Sequence, residues 1–268
     1  DEAHMAYNFP LPPLLLEAVV TSRADILNTW IYNWPMLPEK TTLFNFTASH
    51  DGVGLRPLEG LMSEERIKRL LINCEKRGGL MNDERVKQLL INCEKRGGLV
   101  SHRRLSNGED KPYELNISWW SAMEDSSRDI RRFQYERFIL TQLIVMVLKG
   151  VPAFYLPALL ASENDIKTFS KTGERRDLNR EKFFIEKLLL NINDIYSYAS
   201  RNIKFLSKAM KIRSSLKAFH PSSKMLSLSK KRSDLIVIRR GEGLDTIWAI
   251  HNITDNKLNY LLNDPEIL

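Results

Sequence analysis

The amino-acid sequence predicts an α/β fold built on a parallel sheet or barrel, with a small all-β unit after it. Three observations carry that prediction. Short apolar, β-branched and aromatic runs alternate with longer helical patterns through residues 1–221, which is the signature of βα units. From residue 222 onward the pattern changes to strand–glycine turn–strand, a hairpin signal. The chain has 268 residues, 43% hydrophobic and 27% charged, enough to bury a core and unlike a disordered or disulfide-framed chain.

Taken in order, residues 6–9 form a short strand ahead of a proline-rich turn, and residues 14–34 form a helix. The run TTLFNFTA at 41–48 is β-branched and aromatic, a buried strand. Residues 61–79 and 80–98 are a tandem repeat, LMSEERIKRLLINCEKRGG followed by LMNDERVKQLLINCEKRGG, identical at fifteen of nineteen positions. Each copy reads as one helix. Ser63 or Asn82 caps its start, Ile67, Leu70, Leu71 and Cys74 form its apolar stripe, and a Gly-Gly pair ends it. A solenoid needs at least about three units, so two copies point to a duplicated helix at 61–98. Cys74 and Cys93 are then copies of one buried apolar position. Residues 129–149 form a long apolar helix, residues 151–156 a buried strand behind Gly150, and residues 180–219 are mostly helical. Residues 234–240 and 244–252 flank Gly241-Glu242-Gly243 as a hairpin, and 225–229 add a third strand. The chain opens directly on a strand without an initiator Met and stops after few strands of the β unit, so both ends read as cut.

Several functional classes are excluded or disfavoured. No apolar run reaches the ~18 residues of a membrane span, and no basic stretch opens a signal peptide. Two cysteines without a Cys-x-x-Cys spacing make neither a disulfide framework nor a zinc site, and a reducing cytoplasmic location is expected. Forty basic residues against 33 acidic leave a net charge of +7, which permits anionic partners without selecting one. The basic runs lack interleaved aromatics, which argues against a nucleic-acid surface. No phosphate loop, dinucleotide fingerprint or nucleophile elbow is present, and no metal or organic cofactor is suggested.

Parallel βα folds place ligands at the carboxyl ends of their strands. Those ends supply Ser49-His50-Asp51-Gly52 after the second strand, residues 162–165 after the third, and the loop 172–177 beyond it. The insert supplies residues 111–116 as a further loop. His50 and Asp51 are the strongest pair: a carboxylate beside an imidazole can grip sugar hydroxyls or hold charge near a cationic transition state. Asp51-Gly52 also spells an ordinary turn, in which His50 would be only a loop residue. Arg56 and Arg176 can pair with carboxylates or phosphate, although a surface ion pair is the commoner fate of a single arginine. Tyr113 and Glu114 carry no signal by themselves.

FNFTASHDGVGLRPLEG at 44–60 resembles the strand-seven motif of glycoside hydrolase family 13, the α-amylase clan, and most closely its sucrose phosphorylase subfamily, including members acting on glucosylglycerate. AHMAYNFPLPPLLLEA at 3–18 resembles that subfamily's strand six and following helix, and PYELNISWWSAM at 112–123 its substrate-site loop. GVPAFYLPALLASENDI at 150–166 is similar to strand eight, and GERRDLNREKF at 173–183 to an Arg-Asp-x-Asn-Arg signature. The resemblance implies strands six to eight of a (β/α)₈ barrel over residues 1–221, then part of an all-β domain over 222–268. It implies a retaining phosphorylase that passes a glucosyl group from sucrose or glucosylglycerate to inorganic phosphate and yields α-glucose 1-phosphate. Asp51 then stabilises the transition state and His50 binds sugar hydroxyls. Arg176 lies near the far end of the glucose, and Tyr113 and Glu114 belong to the loop meeting phosphate or acceptor. Arg56 falls in a subfamily stretch suited to an acidic acceptor.

Two departures stand out. The family's aspartate nucleophile and glutamate acid/base lie on strands four and five, ahead of this sequence, so no carboxylate here takes those roles and the isolated chain is expected to be inactive. The duplicated helix also sits between strand seven and the substrate loop. Hydrolysis or glucosyl transfer within the same clan, and a non-catalytic remnant, are the rival expectations. The expected partners are a small glucoside and phosphate, with no nucleic acid and no membrane.

Overall fold

A computed structural model describes residues 3–59, 91, 93–106, 108, 110–124 and 133–262. Most of the expected duplicated helix at 61–98, including Cys74, lies outside the described residues. The elements form three three-stranded sheets.

The first sheet is parallel. Strand β1 (Met5–Tyr7) pairs with β2 (Thr42–Asn45), and β2 pairs with β6 (Val151–Pro152). Its buried polar groups are paired across strands: Asn8 Nδ2 donates to Asn45 Oδ1 at 2.8 Å, and Asn45 Nδ2 donates to the Lys149 carbonyl at 3.0 Å. Gly150 has φ of 130°, and a side chain there would run into the Leu43 carbonyl 2.5 Å away, so glycine is required where β6 joins the sheet.

Helices α1 (Leu11–Thr21) and α2 (Asp25–Tyr32) connect β1 to β2. The single helix expected over 14–34 is therefore two. Ser22 adopts a left-handed conformation with φ of 53° and closes α1 in a cap, its N–H and that of Arg23 reaching back to the carbonyls of Val19 and Ala18. Pro12 and Pro13 sit inside the first turn of α1, where the missing N–H groups have no helical partner to lose.

The second sheet is an antiparallel excursion after β2. It comprises β3 (Val53–Gly54), β4 (Leu99–Arg104) and β5 (Asp110–Asn116), with β5 in the middle. The expected loop at 111–116 is thus a strand. Pro112 and the charges of Asp110, Lys111 and Glu114 hide its period-two pattern, and its pairing with β3 is non-local. The short helix α3 (Arg56–Glu59) follows β3, and α4 (Trp119–Ala122) follows β5.

Helix α5 (Gln134–Val147) runs into β6 and buries Phe138, Ile144, Val145 and Met146. The strand expected over 151–156 is only two residues long. Tyr155 remains extended and Pro157 opens the turn α6 (Leu156–Leu159), which Pro favours at a helix start. Helices α7 (Ile166–Thr172), α8 (Ile185–Asn193) and α9 (Tyr198–Ser215) fill the stretch up to a final 3₁₀ turn at Lys217–Phe219.

The third sheet is antiparallel, β7 (Met225–Ser227), β8 (Leu235–Arg240) and β9 (Ile247–Asn252), and the anticipated hairpin and third strand are present. It docks on the first part of the chain through one continuous core that includes Ile236 and Ile238. Buried Asn28 on α2 donates to the Arg232 and Leu235 carbonyls and accepts from Ser229 Oγ. Two guanidiniums cap the C-terminal end of α5. Arg213 Nε donates to the Met146 carbonyl at 2.9 Å and Arg240 Nη1 to the Val147 carbonyl at 2.6 Å. Cations are favourable at that end of a helix. Burial lowers the pKa of both, that of Arg240 to about 10.

Candidate active site

The carboxyl end of β2 leads into residues 46–52, and the carboxyl end of β6 leads into residues 153–184. The two loops meet, with β5 beside them. Arg176, in the 3₁₀ turn Arg175–Asn179, is the junction. Its Nε and Nη2 donate to Glu114 Oε1 and Oε2 at 3.1 and 2.8 Å, a two-pronged pair. Its Nη1 lies 2.7 Å from Asp51 Oδ1. That contact is an ion pair rather than an aligned hydrogen bond, since Oδ1 finds no donor in hydrogen-bond geometry. Arg180 Nη2 lies 3.6 Å from the same oxygen and His50 Nε2 3.5 Å. The hydrogen bond to Glu114 raises the Arg176 pKa above its ordinary value.

Glu114 is buried and held from behind. Asn116 Nδ2 donates to its Oε1 at 2.7 Å, and Ser101 Oγ donates to Asn116 Oδ1 at 2.6 Å. This chain of donors runs across β4 and β5, so the antiparallel sheet orients the carboxylate. The loop after β2 is held by the other side. Asn179 Nδ2 donates to the carbonyls of Ser49 and Asp51, and Arg180 Nε donates to that of His50. Tyr155 hydroxyl donates to the Asn179 carbonyl at 3.1 Å. Burial raises the Tyr155 pKa, opposed by Arg180 and supported by Asp51.

Gly52 lets the loop and β5 approach. A Cβ there would strike the Leu115 carbonyl oxygen and sit 2.8 Å from Glu114 Cγ. An open cleft of about 780 Å³ lies beside the cluster, lined by Ser101, His102, Tyr113, Glu114, Arg175 and Arg176 among others. The carboxylates of Asp51 and Glu114 and the guanidiniums of Arg176 and Arg180 therefore form one cluster, with the exposed His50 imidazole beside Asp51, and Glu114 and Arg176 join that cluster to the cleft. Such a site suits a polyhydroxylated ligand with an anionic group: carboxylates accept from hydroxyls, and guanidiniums pair with the anion.

Of the residues expected from sequence, His50, Asp51, Glu114 and Arg176 meet in one cluster, and Tyr113 lines the cleft beside them. Arg56 does not join them; it opens α3, exposed, without an ion-pair or hydrogen-bond partner among the described residues. Of residues 162–165, Asn164 and Asp165 serve structure. Asn164 accepts from the Ser118 N–H and donates to the Arg96 carbonyl, and Asp165 caps α7. Sequence reasoning missed Ser101, Asn116, Tyr155, Asn179 and Arg180. The Asn-Arg pair inside 173–183 was the available signal, because a 3₁₀ turn places residues three apart on one side. Among the described residues no cluster of three or more His, Cys, Asp or Glu could hold a metal, and no helix is long and apolar enough to cross a membrane.

No family model matches the chain. Curated relatives do. It is 32% identical over 258 residues to glucosylglycerate phosphorylase of Escherichia coli (strain K12), covering 96% of this chain and 42% of that protein. It is 32% identical over 256 residues to glucosylglycerate phosphorylase of Allomeiothermus silvanus, covering 95% and 42%. It is 25% identical over 224 residues to sucrose phosphorylase of Bifidobacterium adolescentis, covering 80% and 37%. The fold is shared with the crystal structure of sucrose 6F-phosphate phosphorylase from Thermoanaerobacter thermosaccharolyticum, with a TM-score of 0.70 and 20% identity over 93% of this chain and 43% of that one. By sequence, the chain is a homologue of the glucosylglycerate and sucrose phosphorylases, and it spans about 42% of the length of the glucosylglycerate phosphorylases it matches.

Proposed function

We propose that this chain supplies one wall of the glucosyl site of a retaining glycoside phosphorylase. In that reading β1, β2 and β6 are strands six, seven and eight of a (β/α)₈ barrel within residues 1–221, and residues 222–268 begin an all-β domain. The parent reaction moves a glucosyl group from sucrose or glucosylglycerate to inorganic phosphate and releases α-glucose 1-phosphate. The observation that carries the proposal is the Asp51–Arg176–Glu114 cluster at the carboxyl ends of the parallel strands.

The roles follow from the chemistry. Cleavage of a glucosidic bond passes through an oxocarbenium-like state, with positive charge at the anomeric carbon. A fixed carboxylate stabilises that charge better than reorganising water does. Asp51 takes that part, next to His50 and Arg176, which hold sugar hydroxyls. Tyr113 and Glu114 border the cleft where phosphate or the acceptor sits, and Arg175, which lines the same cleft, supplies a counter-charge for phosphate. Arg56, away from the cluster, would reach an acidic acceptor only as its outer contact. A retaining route also needs a nucleophilic carboxylate and an acid/base, and this chain assigns neither. Asp51 and Glu114 are both engaged by Arg176, an arrangement for holding charge rather than for passing a proton.

The test is an assay of the protein with sucrose or glucosylglycerate, with and without phosphate. The chain alone is expected to give no α-glucose 1-phosphate. Addition of a polypeptide carrying the missing aspartate and glutamate should restore a phosphate-dependent product. Product from this chain by itself would overturn the assignment of the absent carboxylates. Free glucose formed at a rate independent of phosphate would establish hydrolysis instead.

A further inference from the structure

We propose that Asn179 and Arg180 are positioning residues that set the loop bearing His50 and Asp51, and that the turn Arg175–Asn179 with Arg180 works as a single clamp on that loop. The proposal rests on the reading of His50 and Asp51 as sugar-binding and charge-stabilising groups, and it adds to that reading how they are held. Three successive carbonyls, those of Ser49, His50 and Asp51, accept from the side chains of these two adjacent residues, at 3.2, 2.6 and 2.9 Å. Among the described residues no backbone–backbone hydrogen bond reaches residues 47–51, so these side chains do what a strand ladder does elsewhere. The spacing explains the sequence. In a 3₁₀ turn residues 176 and 179 lie on one side, so Arg176 meets the Asp51 carboxylate while Asn179 meets the Asp51 carbonyl. Asp51 is held at both its ends by one turn.

The turn is itself anchored. Leu178 is buried, the Asp165 N–H donates to the Leu178 carbonyl at 2.8 Å, and Tyr155 hydroxyl donates to the Asn179 carbonyl. Arg175 Nη1 donates to the Val100 carbonyl of β4 at 2.5 Å. The clamp therefore ties the β2 loop, the β6 loop and the antiparallel sheet to a common frame. Placement errors of about 1 Å at a reacting centre cost on the order of 10²-fold in rate, so a loop without its own ladder needs such a frame.

The experiment compares Asn179→Ala, Asn179→Asp, Arg180→Ala and Arg180→Lys with Arg176→Ala in the full chain. Backbone ¹⁵N relaxation is read at the amides of residues 49–51, with thermal melting and calorimetric binding of methyl α-D-glucoside alongside. Order parameters near about 0.85 in the parent protein should fall below about 0.6 in Asn179→Ala and Arg180→Ala. Asn179→Asp should be looser still, since it turns an oxygen toward two carbonyls. Arg180→Lys should recover part of the order, because an ammonium can still donate to the His50 carbonyl. Arg176→Ala, which removes the ion pair to the Asp51 carboxylate but no bond to the loop backbone, should lower the order parameters less than either alanine variant. The glucoside dissociation constant should rise about tenfold wherever the loop loosens. Arg180 is one-third exposed, so its variants keep the test available if Asn179→Ala does not fold. Unchanged order parameters in both alanine variants, or equal loosening in Arg176→Ala, would overturn the clamp. Loosening as expected in a protein that binds no glucoside would uphold the clamp and remove the sugar-site reading.

Discussion

At the scale of single residues, the site turns on Arg176. Glu114 is buried at 5% exposure, and among the described residues its other side-chain partner is Asn116. Arg176→Ala leaves that carboxylate buried with one hydrogen bond. The cost is expected to be about 1–3 kcal/mol in urea unfolding, moderated because Arg176 itself is one-third exposed. Arg176→Lys should restore charge but not the two-pronged geometry, and recover less than half of the loss. Equal stability of all three proteins would show that the pair is energetically idle. A second residue sets an acid limit. His251 on β9 is buried with Nδ1 unpartnered, and burial lowers its pKa from 6.5 to about 4. The unfolded chain therefore binds a proton that the folded chain refuses between pH 6.5 and 4. Stability is intact above pH 6.5, falls as the pH drops through that window, and levels off below it, by roughly 3 kcal/mol at most. Urea midpoints measured from pH 7 to 4 should show this slope, and His251→Leu should flatten it.

At the scale of elements, the unanticipated antiparallel sheet matters most. It carries Glu114 and Tyr113 to the end of a parallel sheet with which it shares no strand. The contact between the two depends on Gly52, whose Cα faces the Leu115 carbonyl and the Glu114 side chain. Gly52→Ala has no space for its methyl group and should push the β2 loop away from β5. The expected loss is about 1–3 kcal/mol in thermal or urea unfolding, with weaker glucoside binding. Full stability and full binding in Gly52→Ala would mean that the loop and strand are not closely packed. Cys93 illustrates how an element buries its residues. It is 3% exposed, just ahead of the Gly97–Gly98 stop, and burial pushes its thiol up to about 12. The expectation that the repeat cysteine is an apolar core residue holds at this position; the companion Cys74 falls outside the described residues.

At the scale of the whole molecule, one core joins the parallel sheet to the antiparallel sheet at 225–252. The sides of the parallel sheet are less complete. Among the described residues β1 and β6 are both edge strands. Tyr7 and Phe9 near β1, and Phe184, Ile185, Leu190 and Tyr196 around α8, are each more than half exposed. Apolar exposure on this scale beside unpaired strand edges promotes association. Sedimentation equilibrium should therefore show concentration-dependent self-association, reduced when Tyr7 and Phe9 are both replaced by lysine. A monodisperse monomer at all concentrations would contradict this.

Local pattern determined much of this protein. The alternation of strand and helix, the strands at 42–45 and 235–252, the helix at 134–147 and the His50-Asp51 pair are written in short-range periodicity and turn chemistry, which depend only on neighbouring residues. What the pattern could not decide was non-local. The break at Ser22 rests on a cap that competes with a good helical run, and strand β5 rests on partners 17 and 62 residues away in the first pairs of its two ladders, not on its own polar sequence. The assembly of Asp51, Glu114 and Arg176 belongs to the same class. Each lies on a different segment, and only tertiary packing brings Glu114 and Arg176, 62 positions apart, within hydrogen-bond reach. Charge pairing of that kind leaves no periodicity in the chain, so sequence could name the groups while the folded structure alone brought them together.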